Sequence, residues 1–299
     1  MMHIVAQSDI QHLITDELPA LGNAIRDLCG QRVRRVDRYI ELCVLGAMRC
    51  TQQRSLPTET GLFLASQNSA ISSVVEIMHS IFDEHYPPKP FDFVNALGNS
   101  ACFYVAQLLG LSGKSIAVSR EGFSFEAGLH HALLDLHSGQ LQTALVGCVD
   151  EALLPLSMHR ARISCDEQAP IEGPLGENSS WLLLSNQGSN ASGLRLDSVL
   201  DFSAQADVSA WLLENATAQT CYMQTCFTLS EDERLTIAAQ VATVAEYQAA
   251  FAVAGSNTNS AASILNLLAN THAQEQHETL LHLNKNSDGD YVLVRFAAN

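Results

Sequence analysis

The chain has 299 residues, 47% of them hydrophobic and 16% charged, which supports one large domain or two modest ones with a sizeable core and excludes general disorder. Its 16 basic and 32 acidic residues give a formal net charge of -16. That charge excludes the clustered cations of a nucleic-acid binder and disfavours an anionic membrane surface. No uncharged apolar run reaches the roughly 18 residues of a membrane span. The start, MMHIVAQSDIQHL, lacks a basic region followed by an apolar one, so no signal peptide and a cytoplasmic location are expected. The 8 cysteines lack C-x-x-C spacing and lie mostly in apolar runs, where a reduced thiol behaves as a small hydrophobe. None of the 11 histidines shows a ligand spacing such as H-E-x-x-H, so neither a metal nor a cofactor is expected.

In chain order, residues 1–30 read as a leader with one helix around Asp16–Cys29, followed by a single domain over 31–299. Apolar spacing predicts a helix over Val36–Cys50, and TGLFLA at Thr60–Ala65 a short buried strand. A helix over Ser69–Glu84 is closed by the prolines of Tyr86–Pro90, and another over Asn99–Leu109 is stopped by Gly110. Lys114–Ser119 is a strand, Ser124–His137 a helix, and Gln142–Val149 an apolar strand. Ser157–Gly176 reads as irregular and Trp181–Ser185 as a strand. The turn-rich Asn186–Gly193 divides two halves, 31–187 and 188–299. The second half holds a strand at Leu194–Asp201 and a helix at Ala204–Ala216, then a strand at Cys221–Cys226 and a helical stretch at Glu231–Phe251. A helix at Ala262–Ala269 precedes two strands, Thr279–Leu283 and Tyr291–Phe296, joined by a turn at Asn286–Asp290. Alternating strands and helices imply an α/β protein with buried sheets.

Several segments, in order, resemble the β-ketoacyl synthase family of the thiolase fold. RVDRYIELCVLGAMR at Arg35–Arg49 resembles its early helix, and ETGLFLAS at Glu59–Ser66 the strand before its Gly-Ser turn. Lys114–Glu151 follows its sequence of strand, nucleophile turn, long helix, Ser-Gly stop and A-L-V-G-type strand. GPLGENSSWLLL at Gly173–Leu184 is similar to its L-G-E-G-A-G strand, and Gly255–Leu268 to its G-H turn and following helix. The resemblance implies two pseudo-repeated αβ halves in α-β-α-β-α layers, trimmed relative to complete ketosynthases.

The family's chemistry uses a Cys at the N-terminus of the long helix, whose dipole lowers the thiol pKa, and two His that stabilise developing charge. This chain departs at each position. Gly122 stands where the Cys is expected, with Glu121 there if the register slips by one, and glycine has no nucleophile. The first His position falls near Gln224 and the second at Ser256. No catalytic residue is therefore assigned. Ser119 and Ser124 flank the turn without an evident base and read as helix caps. Glu121 is the candidate for a residual decarboxylase, against the plainer reading of a first-turn residue complementing the helix dipole.

A ketosynthase scaffold without its catalytic residues resembles a chain-length factor, the partner of an active ketosynthase in type II polyketide and polyene systems, most closely the short form of bacterial aryl polyene clusters. The resemblance implies a heterodimer joined through the edge strand Lys114, Ser115, Ile116, Ala117, Val118 and Ser119. Acidic acyl carrier proteins are expected to dock mainly on the partner. The alternatives are the decarboxylase using Glu121 and a homodimeric acyl-binding scaffold.

Overall fold

The computed structural model describes residues 2–13, 17–30, 33–52, 54–163, 175–187, 193–215, 221–226, 228–241, 246–248, 259–270, 274 and 278–298. Among the described residues, ten strands form one sheet in the order β3-β2-β4-β5-β1-β6-β10-β9-β7-β8. They are β1 (Met2–Leu13), β2 (Gly61–Ala65), β3 (Ser115–Val118), β4 (Thr143–Asp150), β5 (Gly176–Ser185), β6 (Leu194–Phe202), β7 (Cys221–Thr225), β8 (Glu246–Gln248), β9 (Thr279–Lys285) and β10 (Tyr291–Ala298). The order is a palindrome. β1 to β5 and β6 to β10 occupy matching places, and the halves meet where Met2 and His3 pair with Leu196 and Arg195. β2 runs parallel to β3 and β4, just as β7 runs parallel to β8 and β9. Parallel neighbours need crossovers, and helices supply them.

The helices are α1 (Gly22–Cys29), α2 (Arg38–Thr51), α3 (Ile71–Phe82), α4 (Pro90–Ala96), α5 (Ser100–Leu109), α6 (Ser124–His137), α7 (Leu156–Ile163), α8 (Gln205–Asn215), α9 (Glu231–Val241) and α10 (Ala261–Ala269). Strand alternation decides the layering. Leu62 and Leu64 of β2 face outward onto α1, α2 and α5, while Phe63 and Ala65 face inward with Val146 onto α6. In the second half Leu280 and Val292 face inward with α10, and Leu281 and Leu293 outward onto α8 and α9. The α-β-α-β-α layering implied by the resemblance is present, with α6 and α10 in the shared middle layer.

The structure departs from the sequence reading at five elements. The supposed leader contains β1, which pairs with β5 from His3 to Leu13; its buried Met2, Ile4 and Ile10 are separated by polar residues that mask the strand. β5 begins at Gly176 rather than Trp181, because its polar stretch is buried with partners: Ser179 donates to Leu42 O at 2.7 Å and Ser180 to Asp9 at 2.6 Å. Part of the expected irregular region is helix α7, and Pro90 starts the unforeseen α4. Within the stretch expected to be helical to Phe251, Glu246–Gln248 is strand β8, the counterpart of β3 at the opposite edge.

Trp181 locks the outer face of the first half. It is fully buried, donates Nε1–H to Ser179 Oγ at 2.9 Å, and lies between Gly46 of α2 and Gly147 of β4. A Cβ at either glycine would intrude into the indole. Gly147→Ala is therefore expected to destabilise the fold by about 1–3 kcal/mol through overpacking, read as a lower urea midpoint at unchanged slope.

Candidate functional site

β3 ends at Val118, and the chain turns through Ser119 and Arg120 into a 3-10 turn at Glu121–Phe123 that feeds α6. Glu121 has φ +42, a backbone conformation that non-glycine residues adopt rarely and that is often found at functional turns. Hydrogen bonds from both halves hold it. Ser124 Oγ donates to Glu121 O at 2.8 Å and accepts from Arg120 N at 3.0 Å. Asn284 of β9 donates to Gly122 O at 2.9 Å, and Arg120 pairs with Asp201 of β6 at 2.8 Å. Ser124 thus closes the turn from the first residue of α6; the N-cap position belongs to Phe123, which corrects the reading of Ser124 as a helix cap. The Glu121 side chain is exposed. At Gly122 a Cβ would meet nothing within 4 Å. The turn has room for a nucleophile, and the sequence places none there.

One helical turn below, Glu126 is fully buried between the halves. Asn284 Nδ2 donates to its Oε1 at 2.8 Å, the Ser260 hydroxyl faces it, and burial raises its pKa above the ordinary carboxylate value. Gln224 is on the inner face of β7 and donates to Ser263 O and Oγ at 2.8 and 3.0 Å. Its register neighbour on β9 is His282. The His282 Nε2 lies 2.9 Å from Ser263 Oγ, and burial pushes the imidazole down to about 3, so it is neutral. A hydroxyl beside an imidazole is the geometry of an activated nucleophile. Here Ser263 is 4% and His282 0% exposed, and the serine oxygen already accepts from Gln224, so the trio anchors α10 to the sheet. Ser256 lies outside the described residues.

A second polar cluster sits at the carboxyl ends of β2 and β4. Asp150 Oδ1 accepts from Ser66 Oγ at 2.8 Å and from the backbone amides of Gln67 and Asn68 at 3.0 and 3.1 Å. Its Oδ2 accepts from Asn259 Nδ2 at 2.7 Å, which also donates to Asn178 Oδ1 at 2.7 Å. Beside it, Glu151 accepts from Ser72 N at 2.8 Å, and its pKa is pushed up to about 8 by burial, with Asp37 and Glu177 nearby adding to the rise. Glu177 goes the other way: Arg38 Nε at 2.7 Å and His12 Nδ1 at 2.9 Å hold its carboxyl below the ordinary value despite burial.

The structure brings Glu121 and Gly122 together at the turn and places Gln224 in the layer beneath it. It adds Glu126, Ser260, Ser263, His282 and Asn284, which the sequence reading missed. A signal was present for two of them: strand alternation puts His282 and Asn284 on the same inward face as Leu280. Of the expected edge strand Lys114–Ser119, β3 comprises Ser115–Val118 at the rim of the sheet, Lys114 precedes it, and Ser119 leads directly into the turn.

Residues 32–164 match the family model of the β-ketoacyl synthase N-terminal domain. No curated protein sequence matches the chain. Among solved structures it is similar to the ishigamide ketosynthase/chain length factor, at TM-score 0.76 and 15% identity, covering 99% of each chain. It is similar to a β-ketoacyl synthase from Burkholderia phymatum STM815, at TM-score 0.67 and 11% identity, covering 100% of this chain and 99% of that one. The PfaC keto synthase-chain length factor matches at TM-score 0.68 and 10% identity, covering 100% of this chain and 43% of that one. The fold is thiolase-like, of the ketosynthase kind.

The open space at Gly122 predicts that Gly122→Cys folds with a melting temperature within a few degrees of the parent; a loss of more than 2 kcal/mol in chemical denaturation would contradict it. Glu151 carries its proton in the folded chain up to about pH 8 against an ordinary value of 4.5. Its contribution to stability is therefore full below the ordinary value and is lost as pH rises through the folded one. Urea titrations between pH 5 and pH 8.5 should show stability falling with pH, and Glu151→Gln should flatten that fall. An unchanged slope in the variant would refute the assignment.

Proposed function

We propose that this chain is a non-catalytic ketosynthase-like subunit, a chain-length factor, that forms a heterodimer with an active β-ketoacyl synthase and supports elongation of a polyene, polyketide or fatty acyl chain. The observation that carries the reading is the turn before α6, held in its strained form by both halves while Gly122 supplies no side chain. Gln224 and Ser256 leave the two histidine positions empty of imidazole, and the one imidazole in the cluster, His282, is buried, neutral and bound to Ser263. The reading agrees with the similarity to the ishigamide ketosynthase/chain length factor.

The edge strand supports the partnership. Lys114 O accepts from Leu62 N, and Val118 O from Ser66 N, so these residues turn their carbonyls to β2. Alternation then leaves the backbone groups of Ser115 and Ala117 directed to the open edge, while Ile116 and Val118 pack their side chains into the core. An open edge is a template for another strand. An active ketosynthase pairing there extends the sheet across two subunits. With a net charge of -16, this chain repels an acidic acyl carrier protein, and docking falls on the partner.

Co-expression with its cognate active β-ketoacyl synthase is expected to give a 1:1 complex by size exclusion with light scattering. Ala117→Pro removes an outward amide without touching a bond to β2, so it should abolish the complex at an unchanged melting temperature. Separate elution of the two wild-type chains at micromolar concentration would sink the proposal.

A further inference from the structure

The region between β2 and β3 shows an inverted amphipathic pattern. Helix α3 places Val74, Met78, Ile81 and Phe82 at helical spacing, and this stripe is exposed to solvent, with Phe82 at 64%. The buried position of α3 is Ser73 rather than an apolar residue. Beyond it Tyr86 is 62% exposed, and α4 buries none of its residues while Phe91, Phe93 and Val94 lie open. Leu97 follows, and α5, which buries Ala101, Cys102 and Val105, leaves Phe103 at 62% exposure. The three helices pack in series, and α5 packs on β3, so the apolar ledge continues into the open sheet edge. A helix whose apolar stripe faces water is unstable by itself, and an exposed apolar patch this extensive marks an interface.

Charge narrows the occupant. Across 71–109 the ledge carries Glu76, Asp83, Glu84 and Asp92 against the ammonium of Lys89, and Arg35 adds a guanidinium 5.4 Å above the Phe91 ring, which leaves the rim acidic. An anionic lipid surface is repelled by that rim, and so is a second copy of a chain bearing -16. A bare strand edge has no such preference, because backbone pairing with any strand satisfies it. We infer that the α3–α5 ledge is the part of the interface that selects a hetero-partner, an active ketosynthase presenting an apolar face with a basic rim, while β3 sets the register. This inference rests on the heterodimer reading above and adds where its specificity resides.

The test measures the dissociation constant of the full-length pair by analytical ultracentrifugation at two ionic strengths. Phe82→Ser, Phe93→Ser and Phe103→Ser are combined in one variant and D83K with E84K in another; all five positions are exposed, and melting temperatures check the fold. The apolar variant is expected to weaken association at least tenfold, and the charge variant at least threefold at low salt, with the difference narrowing at high salt. Wild-type affinity in the apolar variant would overturn the ledge while leaving the heterodimer standing, provided Ala117→Pro still abolishes it. Absence of any wild-type complex would remove both proposals. Stable self-association of the wild-type chain that the apolar variant abolishes, or its binding to vesicles of 30% phosphatidylserine, would assign the ledge to another occupant and overturn the inference.

Discussion

Asp150 is where the two halves become one protein. Its carboxylate is buried at the end of β4 and takes hydrogen bonds from Ser66 and from two amides of the turn after β2, all in the first half. Its other oxygen takes one from Asn259, at the start of α10 in the second half. Burial raises its pKa, and the four donors oppose that rise. A polar group buried without partners costs roughly 1–3 kcal/mol, so each donor around Asp150 is fixed by the others. The arrangement sets where α10 begins, and with it the positions of Ser260 and Ser263. Through Asn178 and Ser180 it extends to Asp9 on β1, the strand on which the sheet's palindrome turns.

The middle layer inherits its geometry from that joint. α6 and α10 lie together in the middle layer, packed on the inward faces of the two halves of the sheet. What fills the space here is a set of buried polar side chains linked in pairs. Glu126 bonds Asn284, Gln224 bonds Ser263, and Ser263 bonds His282. None combines access to solvent with a nucleophile and a base. The turn above them keeps its strain, because the groups that enforce it, Ser124, Asn284 and the Arg120–Asp201 pair, are distinct from any group that would react.

Much of the fold was legible because strands such as TGLFLA and TALVGCVD are apolar runs between glycine turns, and α6 carries a continuous core pattern. The order of these segments, more than any one of them, pointed to the family. What escaped notice was polar and buried. β1 reads as part of a leader because Gln7, Ser8 and Asp9 interrupt its apolar pattern, and the start of β5 carries no strand signal because Asn178, Ser179 and Ser180 look solvent-exposed until their partners are in place. Those pairings span separations such as Asp9 to Ser180, which no local pattern encodes. The turn itself was legible to within one residue, Glu121 or Gly122. His282 carries no family signal, since the family's motifs put histidines near Gln224 and Ser256, whereas strand alternation on β9 points His282 into the same layer.

The same pattern of polar partners separates the residues that hold the scaffold from the position at the turn where a side chain would be free to vary. A reacting thiol at the turn would contribute almost nothing to holding the turn, since a Cβ at Gly122 touches no neighbour within 4 Å. Asp150, by contrast, is bonded on every side and cannot be exchanged without orphaning Asn259 and the amides of Gln67 and Asn68. Stability therefore constrains the floor of the site and leaves the reacting position free. The surface follows the opposite logic. Phe82, Phe93 and Phe103 add nothing to the core of the isolated chain and expose large rings to water. An apolar patch of this kind is what an interaction surface presents.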